Sequence, residues 1–480
     1  MDPTVNTVLR WSASHRVPSY FVEQELSGWG FNAMMGTCCQ ALREISAPQG
    51  FSYGCDHGVS KHSMGDTTDL NGSILQGSTE EYTDHPEDIT IAIEVKYLVP
   101  LLLPGAVDPE PHDTRSVATA LDPDNHKANQ QQVTELLSQT LRKAGEKAVP
   151  LLEIVSSRLE QRDFWNDAWI IKKAGSPEPS AKERALQGYV WVPVELVSPK
   201  MLAKDPSTVQ RMRRVLERLV SSHRLVANYS CDTHCHVGRS DDRAYTLSTL
   251  KRLATLLWPA EEALRSIRDR NSPNYNNEYT WGFEMRYSRL GKSLHANRVC
   301  GRASEAFVAE MTDEIPDKQV VKAIYAQEAM SARELQAFRE IWKQNSHEGL
   351  GKLLSGDEAK YRRLGFNFSA FGLEDERART NPRTMEFRFM EGTLRPDLVA
   401  SWMIICGTIA EVAISRSDSR FEVALARLLH KLDGGSPCTI KRLLERRGRR
   451  LGRDFRDLME DLGVPLDVYR AFLGKVIQQN

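Results

Sequence analysis

T-M-E-F-R-F-M-E-G-T-L-R-P-D, residues 384 to 397, reads as a β-strand, a tight turn and the start of a helix. Side chains alternate between the two faces of a strand. Glu386, Arg388 and Met390 therefore share one face, and Phe387 and Phe389 the other, where they can pack on a core. A carboxylate beside a guanidinium on a wet sheet face suits metal and phosphate: the carboxylate holds a divalent cation and the guanidinium clamps phosphoryl oxygens. The bland alternative is a surface ion pair on an edge strand, a common and weak arrangement. Gly392 supplies the turn, Glu391 and Arg395 flank it, and Pro396 suits the first turn of the following helix.

The same alternation recurs upstream. I-T-I-A-I-E-V-K-Y-L-V-P, residues 89 to 100, is a strand rich in β-branched residues. Ile91, Ile93, Val95 and Tyr97 lie on one face, Ala92, Glu94 and Lys96 on the other, and Pro100 ends it. In Y-V-W-V-P-V-E-L-V-S-P, residues 189 to 199, Val194 and Leu196 face one way, while Glu195 shares the other face with Pro193 and Val197. In N-Y-S-C-D-T-H-C-H-V-G-R, residues 228 to 239, Asp232, His234 and His236 lie together, opposite Cys231, Thr233 and Cys235. A mixed Cys/His zinc site is thereby excluded, because one metal cannot be held from both faces of a strand. The imidazoles hold a metal or touch its bound phosphate, or they are satisfied histidines beside a sheet. Another strand is expected over Tyr361 to Phe371. Taken singly, Glu94 and Glu195 read as solvated outer-face residues. Taken together, four strands present acids, imidazoles or a guanidinium opposite an apolar face. One antiparallel sheet can gather those faces around a cavity, with helices on its apolar back, which makes an α+β fold.

With 480 residues and 41% hydrophobic content the chain can bury a sizeable core. Lysine plus arginine number 63 against 64 acidic residues, so overall charge points to neither nucleic acid nor a membrane surface. The most apolar helix, Leu398 to Ile414, contains Ser401, Thr408 and Glu411 and reads as a core helix, not a membrane span. The start, M-D-P-T-V-N-T-V-L-R-W, lacks a basic-then-apolar signal pattern. Eight cysteines without framework spacing suit a reducing compartment, and the expected location is cytoplasmic.

Residues 1–88 show little apolar periodicity and are expected as a mostly disordered leader. Residues 89–420 are expected to form the catalytic domain, and 421–480 a helical C-terminal extension. Within the domain, helices are expected from Gln131 to a stop at Gly145, from Ser207 to Ala227, from Leu247 to Arg270, and over 303–356 with breaks at Pro316, Gly349 and Gly351. The basic run from Lys441 to Arg456 interleaves Leu443, Leu444 and Leu451 and reads as a solvated or partner-docking helix face. A Walker phosphate loop, a dinucleotide fingerprint and a Gly-x-Ser-x-Gly elbow are absent from the sequence. Any nucleotide must then be held by metal ions and charged side chains.

Several of these stretches together resemble the amidoligase family of carboxylate–amine ligases. They are I-E-V-K-Y-L-V-P, V-E-L-V-S-P, N-Y-S-C followed by H-C-H-V-G, Y-R-R-L-G-F-N-F, and M-E-F-R-F-M-E-G-T-L with the helix P-D-L-V-A-S-W, in the family's order between Ile89 and Ser415. The resemblance implies a glutamine-synthetase-like catalytic domain: a curved antiparallel sheet forming an open barrel, with helices outside. It implies ATP and two or more Mg2+ or Mn2+ ions. A substrate carboxylate would attack the γ-phosphate to give an acyl phosphate, and an amine would displace phosphate to form an amide. The substrates would be a small-molecule or peptide carboxylate and an amine, with no nucleic acid and no membrane as partner. By position, the resemblance implies Glu94, Glu195, Glu386 and His236 as metal ligands. His234 and His236 would contact metal or phosphate and Arg388 the transferring phosphoryl group, with Glu391 and Arg395 in the catalytic set.

The chain departs from the family in three places. The first strand usually carries Glu-x-Glu, and Lys96 holds the second position here. A lysine binds nucleotide phosphate but not Mg2+. The family often has an aspartate after the Trp-led strand, where this chain runs W-I-I-K-K-A-G from Trp169. Thr233 replaces a glycine. Two readings stay open beside the ligase. One is a relative that keeps the fold and binds a nucleotide or a partner without turnover, which Lys96 favours. The other is a metal-dependent hydrolase using Asp232, His234, His236 and acids.

Overall fold

The computed structural model describes residues 82–159, 161–269, 272, 285–299, 301–357, 363–372, 383–432 and 453–478. The chain divides into two units, Met1–Ser78 and Thr79–Asn480, and every described residue belongs to the second. Residues 1–81 of the expected leader and 441–452 of the basic run lie outside the described residues.

Among the described residues nine strands form one sheet: β1 (Ile89–Leu102), β2 (Ala118–Thr119), β3 (Ala148–Pro150), β4 (Trp169–Lys173), β5 (Tyr189–Val197), β6 (Met201–Leu202), β7 (Asp232–Arg239), β8 (Phe366–Asn367) and β9 (Met385–Glu391). The order is β3-β4-β5-β1-β7-β9-β8, and β2 and β6 also pair with β1. The path from β4 to β8 is antiparallel, as expected, but β3 runs parallel to β4 and β2 parallel to β1. The sheet is therefore mixed, and among the described residues it is open. Its edges, β3 and β8, span only 148–150 and 366–367, which leaves little backbone to close a barrel.

Period-two alternation builds the core. Ile89, Ile91, Ile93, Val95, Tyr97, Val99 and Leu101 all point to the same buried layer, which Trp169, Ile171, Val194, Leu196, Cys235, Val237, Phe387 and Phe389 extend across the sheet. Burying each such side chain contributes roughly 1.5–3 kcal/mol. Four helices cover this back: α1 (His126–Lys143), α2 (Pro206–Ser222), α3 (Leu247–Arg265) and α4 (Pro396–Ile414). Asn125 caps α1 by accepting from the Ala128 N–H, and Gly145, at φ +86°, ends its turn in the left-handed region. Helix α4 is long and apolar enough to cross a membrane by composition, but most of it is buried within this fold, as expected of a core helix.

Several local expectations change. Pro100 does not end β1; it stays in register opposite Trp191. The β7 pairing stops at Val95, so Pro100 lies where β1 has lost that neighbour and its missing N–H costs little. The strand expected over 361–371 shrinks to β8. Asn367 Oδ1 accepts from the Ser369 N–H at 3.0 Å, which curls the chain into a short 3-10 turn, Ser369–Phe371. Gly349 and Gly351 lie inside the helix His347–Leu353 instead of breaking it. Met390 does not share the face of Glu386 and Arg388. A register shift between Thr233 and Cys235 brings Met390 opposite Thr233, on the buried side.

Ordered structure precedes β1. Asp84 bonds Arg239 at 2.5 Å and accepts from the N–H and hydroxyl of Thr246, the N-cap of α3. At the other end follow α5 (Ser419–Leu432), a helix over 453–461, and α6 (Leu466–Gln478). Phe421, Leu425, Phe455, Met459 and Phe472 join the main core, and the Phe472 ring packs on Trp402 of α4.

Candidate active site

The sheet face opposite the core holds the polar residues of β4, β5, β1, β7 and β9. Its register places Glu94 opposite His234, Lys96 opposite Glu195, Lys172 opposite Glu195, and His236 opposite Glu386. Residues facing each other across an antiparallel pair project to the same side, so these groups meet. Beyond Glu195 the same face is closed by a small second cluster of Val149, Ile154, Ala168 and Ile170, with Val197 packed against it.

His234 draws two carboxylates together. Its Nδ1 lies 3.1 Å from Glu94 Oε2 and 3.1 Å from Glu386 Oε1. Arg388 Nη1 donates to Glu386 Oε1 at 2.6 Å, and Asn367 Nδ2 donates to Glu386 Oε2 at 2.6 Å. Glu386 is buried and Glu94 half-buried, which disfavours their charge. His234 and His236 nevertheless hold Glu94 well below the usual carboxylate range, and Arg388 with the histidines does the same for Glu386. Burial also opposes the charged imidazole of His236, but Glu94 and Glu386 outweigh it and raise its pKa.

The atoms best placed to hold a cation are on Glu94, His236 and Glu386, where one ligand atom from each lies within 4.8 Å of the others. His236 Nε2 is buried, has no hydrogen-bond partner, and sits 3.4 Å from Glu94 Oε1. Its Nδ1 lies 3.0 Å from the Thr384 hydroxyl. Donation from Nδ1–H to that hydroxyl leaves the Nε2 lone pair free for a metal. Two carboxylates and one imidazole suit Mg2+ or Mn2+, so the residues present fit such an ion.

Of the other expected residues, Glu195 lies on the same face but apart from this trio. Lys172 Nζ contacts its Oε1 at 3.0 Å, and Lys96 lies opposite. Burial works against the Lys172 ammonium, yet Glu195 and Glu94 hold its pKa above the usual value. Arg388 lines the trio, with its Nε buried and unpartnered. Glu391 ends β9 opposite Asp232; it accepts from the Asp269 N–H at 2.8 Å and from Lys475 Nζ of α6 at 2.6 Å. Arg395 does not join the cluster: it is 65% exposed at the start of α4 and pairs with Asp397. Gly392 serves a close approach rather than a positive-φ turn, since a Cβ there would stand 2.3 Å from Cys231 Cβ. Sequence reasoning missed the supporting set of Asn367, Thr384, Lys172 and Arg268, the last 3.4 Å from Asp232. Alternation could have found the first three, because each sits at the polar parity of its strand; nothing local marks Arg268, which follows the C-terminus of α3.

No curated protein and no solved structure matches this chain. The match to known families covers Glu195, Asp232, His234 and His236 but stops short of Glu94 on one side and of Glu386 and Arg388 on the other. Residues 127–340 match the family model described as "Putative amidoligase enzyme", so over this stretch the chain matches the amidoligase family that its motifs resemble.

Proposed function

We propose that this chain is an ATP-dependent carboxylate–amine ligase that uses Mg2+ or Mn2+ and works through an acyl phosphate. The observation that carries the reading is the trio of half-buried Glu94, half-buried His236 and buried Glu386, with an orphaned His236 Nε2 and the Arg388 guanidinium beside it. A divalent cation held by that trio would supply charge neutralisation for phosphoryl oxygens. His234 keeps the two carboxylates converged, Thr384 sets the His236 tautomer, and Asn367 fixes the second oxygen of Glu386. Arg388 is placed to donate to the phosphoryl group as it transfers.

In this reading a substrate carboxylate oxygen attacks the γ-phosphorus of ATP and ADP leaves. The amine nitrogen then attacks the acyl carbon, the C–O bond to phosphate breaks, and nitrogen gives up a proton. The site-bearing sheet with its helical back also supports relation to the glutamine-synthetase catalytic fold as part of the proposal. The test is ADP release by the full chain with ATP, Mn2+ and pooled amino acids and amines. The ligase requires release that depends on both a carboxylate and an amine, and a hydroxamate when hydroxylamine replaces the amine. Lys96 and Lys172 on the acid-bearing face favour a second reading, a relative that binds nucleotide without turnover. That reading is supported if nucleotide binds and no pool releases ADP.

A further inference from the structure

Lys96 is 9% exposed, and among the described residues its ammonium makes no hydrogen bond or ion pair. It stands on the site face, directly opposite Glu195, and its charge acts on Glu195 and Asp232 without contact to either. The stem of Lys96 is covered while its ammonium still reaches solvent on the site face, and an unpaired cation so placed can take an anion by charge-assisted hydrogen bonds. On the other side of Glu195, across β5, Lys172 gives that carboxylate a single contact at 3.0 Å, and an ammonium has three donors.

The charge balance says which anion. On this face Glu94, Glu195, Glu386 and Asp232 are matched by Lys96, Lys172, Arg388 and Arg268, Glu391 is matched by Lys475, and the exposed Arg363 adds positive charge near Lys172. One divalent ion at Glu94, His236 and Glu386 then leaves at least two positive charges to compensate. A dianionic phosphoryl group meets that need, and a monoanionic carboxylate meets half of it. A second divalent ion next to Glu195 would instead stand beside two ammonium groups.

We propose that Lys96 and Lys172 form a phosphoryl-binding subsite beside a centre for one divalent ion, with the lysines standing where a second ion would otherwise lie. The proposal rests on the ion centre of the ligase reading, and the test separates the two. Mn2+ bound to the full chain is counted by electron paramagnetic resonance. Binding of inorganic phosphate, of acetate and of a non-hydrolysable imido analogue of ATP to the Mn2+-loaded protein is then measured by calorimetry. The expected result is one ion per chain, and phosphate binding that Lys96→Met weakens roughly ten- to a hundredfold with the ion count unchanged. Lys96→Arg should restore much of it, and Lys96→Glu should lose phosphate and admit a second ion. Tighter binding of the analogue than of phosphate names a nucleotide as the source, and equal binding names free phosphate. Two ions in the natural protein, phosphate affinity unchanged in Lys96→Met, or acetate binding as well as phosphate would overturn the subsite alone. No ion bound by the folded natural protein would overturn the ion centre and the ligase reading with it. Lys96→Met removes an ammonium that has no partner among the described residues, so its unfolding midpoint should not fall, and that measurement shows the variant folded.

Discussion

At Glu386 three donors converge: Arg388, His234 and Asn367. Glu386→Gln leaves the half-buried Arg388 guanidinium without its counter-charge, at a cost of about 2 kcal/mol, below the range for a fully buried pair. Urea unfolding should show that loss, and Mn2+ binding should fall with it. In Glu386→Gln with Arg388→Met the stability should largely return while Mn2+ binding stays lost, because the carboxylate ligand is still missing. A different residue governs pH behaviour. His223 lies between the hydroxyls of Ser116 and Thr140, and burial, with Arg218 nearby, pushes its pKa down to about 4. Its folded pKa is below the unfolded value of about 6.5, so the unfolded chain takes up the proton first. This contribution is full above pH 6.5 and is lost as pH falls toward 4. Between pH 7.5 and 4.5 the natural protein should lose about 2–3 kcal/mol more stability than His223→Gln, which keeps a donor and an acceptor but does not titrate.

Elements meet at two glycines with opposite tolerance. Gly392, just past β9, lies so close to Cys231 that a Cβ would overlap both its Cβ and its carbonyl carbon, at 2.3 and 2.7 Å. Backbone must move, so Gly392→Ala should cost about 1–3 kcal/mol or more and loosen the β7–β9 pairing on which His234 and Arg388 depend. On α4, a Cβ at Gly407 would meet the methyl end of Ile91 at 2.9 Å. A side-chain terminus can shift, and alanine favours the helix by about 1 kcal/mol, so Gly407→Ala should be close to neutral. Chemical denaturation of the two variants side by side checks the contrast.

On the scale of the whole molecule, both ends of the described unit are tied to the core. A chain beginning at residue 89 lacks Asp84, which leaves Arg239 without that partner and α3 without two bonds at its N-cap. It should melt several degrees below a chain beginning at residue 79, as about 2 kcal/mol of charged hydrogen bonding is lost. Removal of α6 uncovers Trp402 and frees Glu391 from Lys475. A chain ending at residue 465 should therefore unfold at lower temperature in calorimetry. An unchanged midpoint would mean that α6 is an appendage after all.

Strand alternation is fixed by covalent geometry, and it alone determined which residues share a face. Glu94 with Lys96, Asp232 with His234 and His236, and Glu386 with Arg388 were legible in the sequence for that reason, as were the apolar back and the buried character of α4. Register and strand order are not local, because they depend on pairing between segments far apart in the chain. Only the tertiary structure placed Glu94 against His234 and gave Glu195 to Lys172. It also turned Met390 inward through the shift between Thr233 and Cys235, and left the sheet mixed and open. Arg395 shows the limit from the other side. It lies in the same motif as Glu386, yet the chain leaves the sheet before it, and its guanidinium ends at the surface beside Asp397 because proximity in sequence does not carry a side chain around the start of a helix.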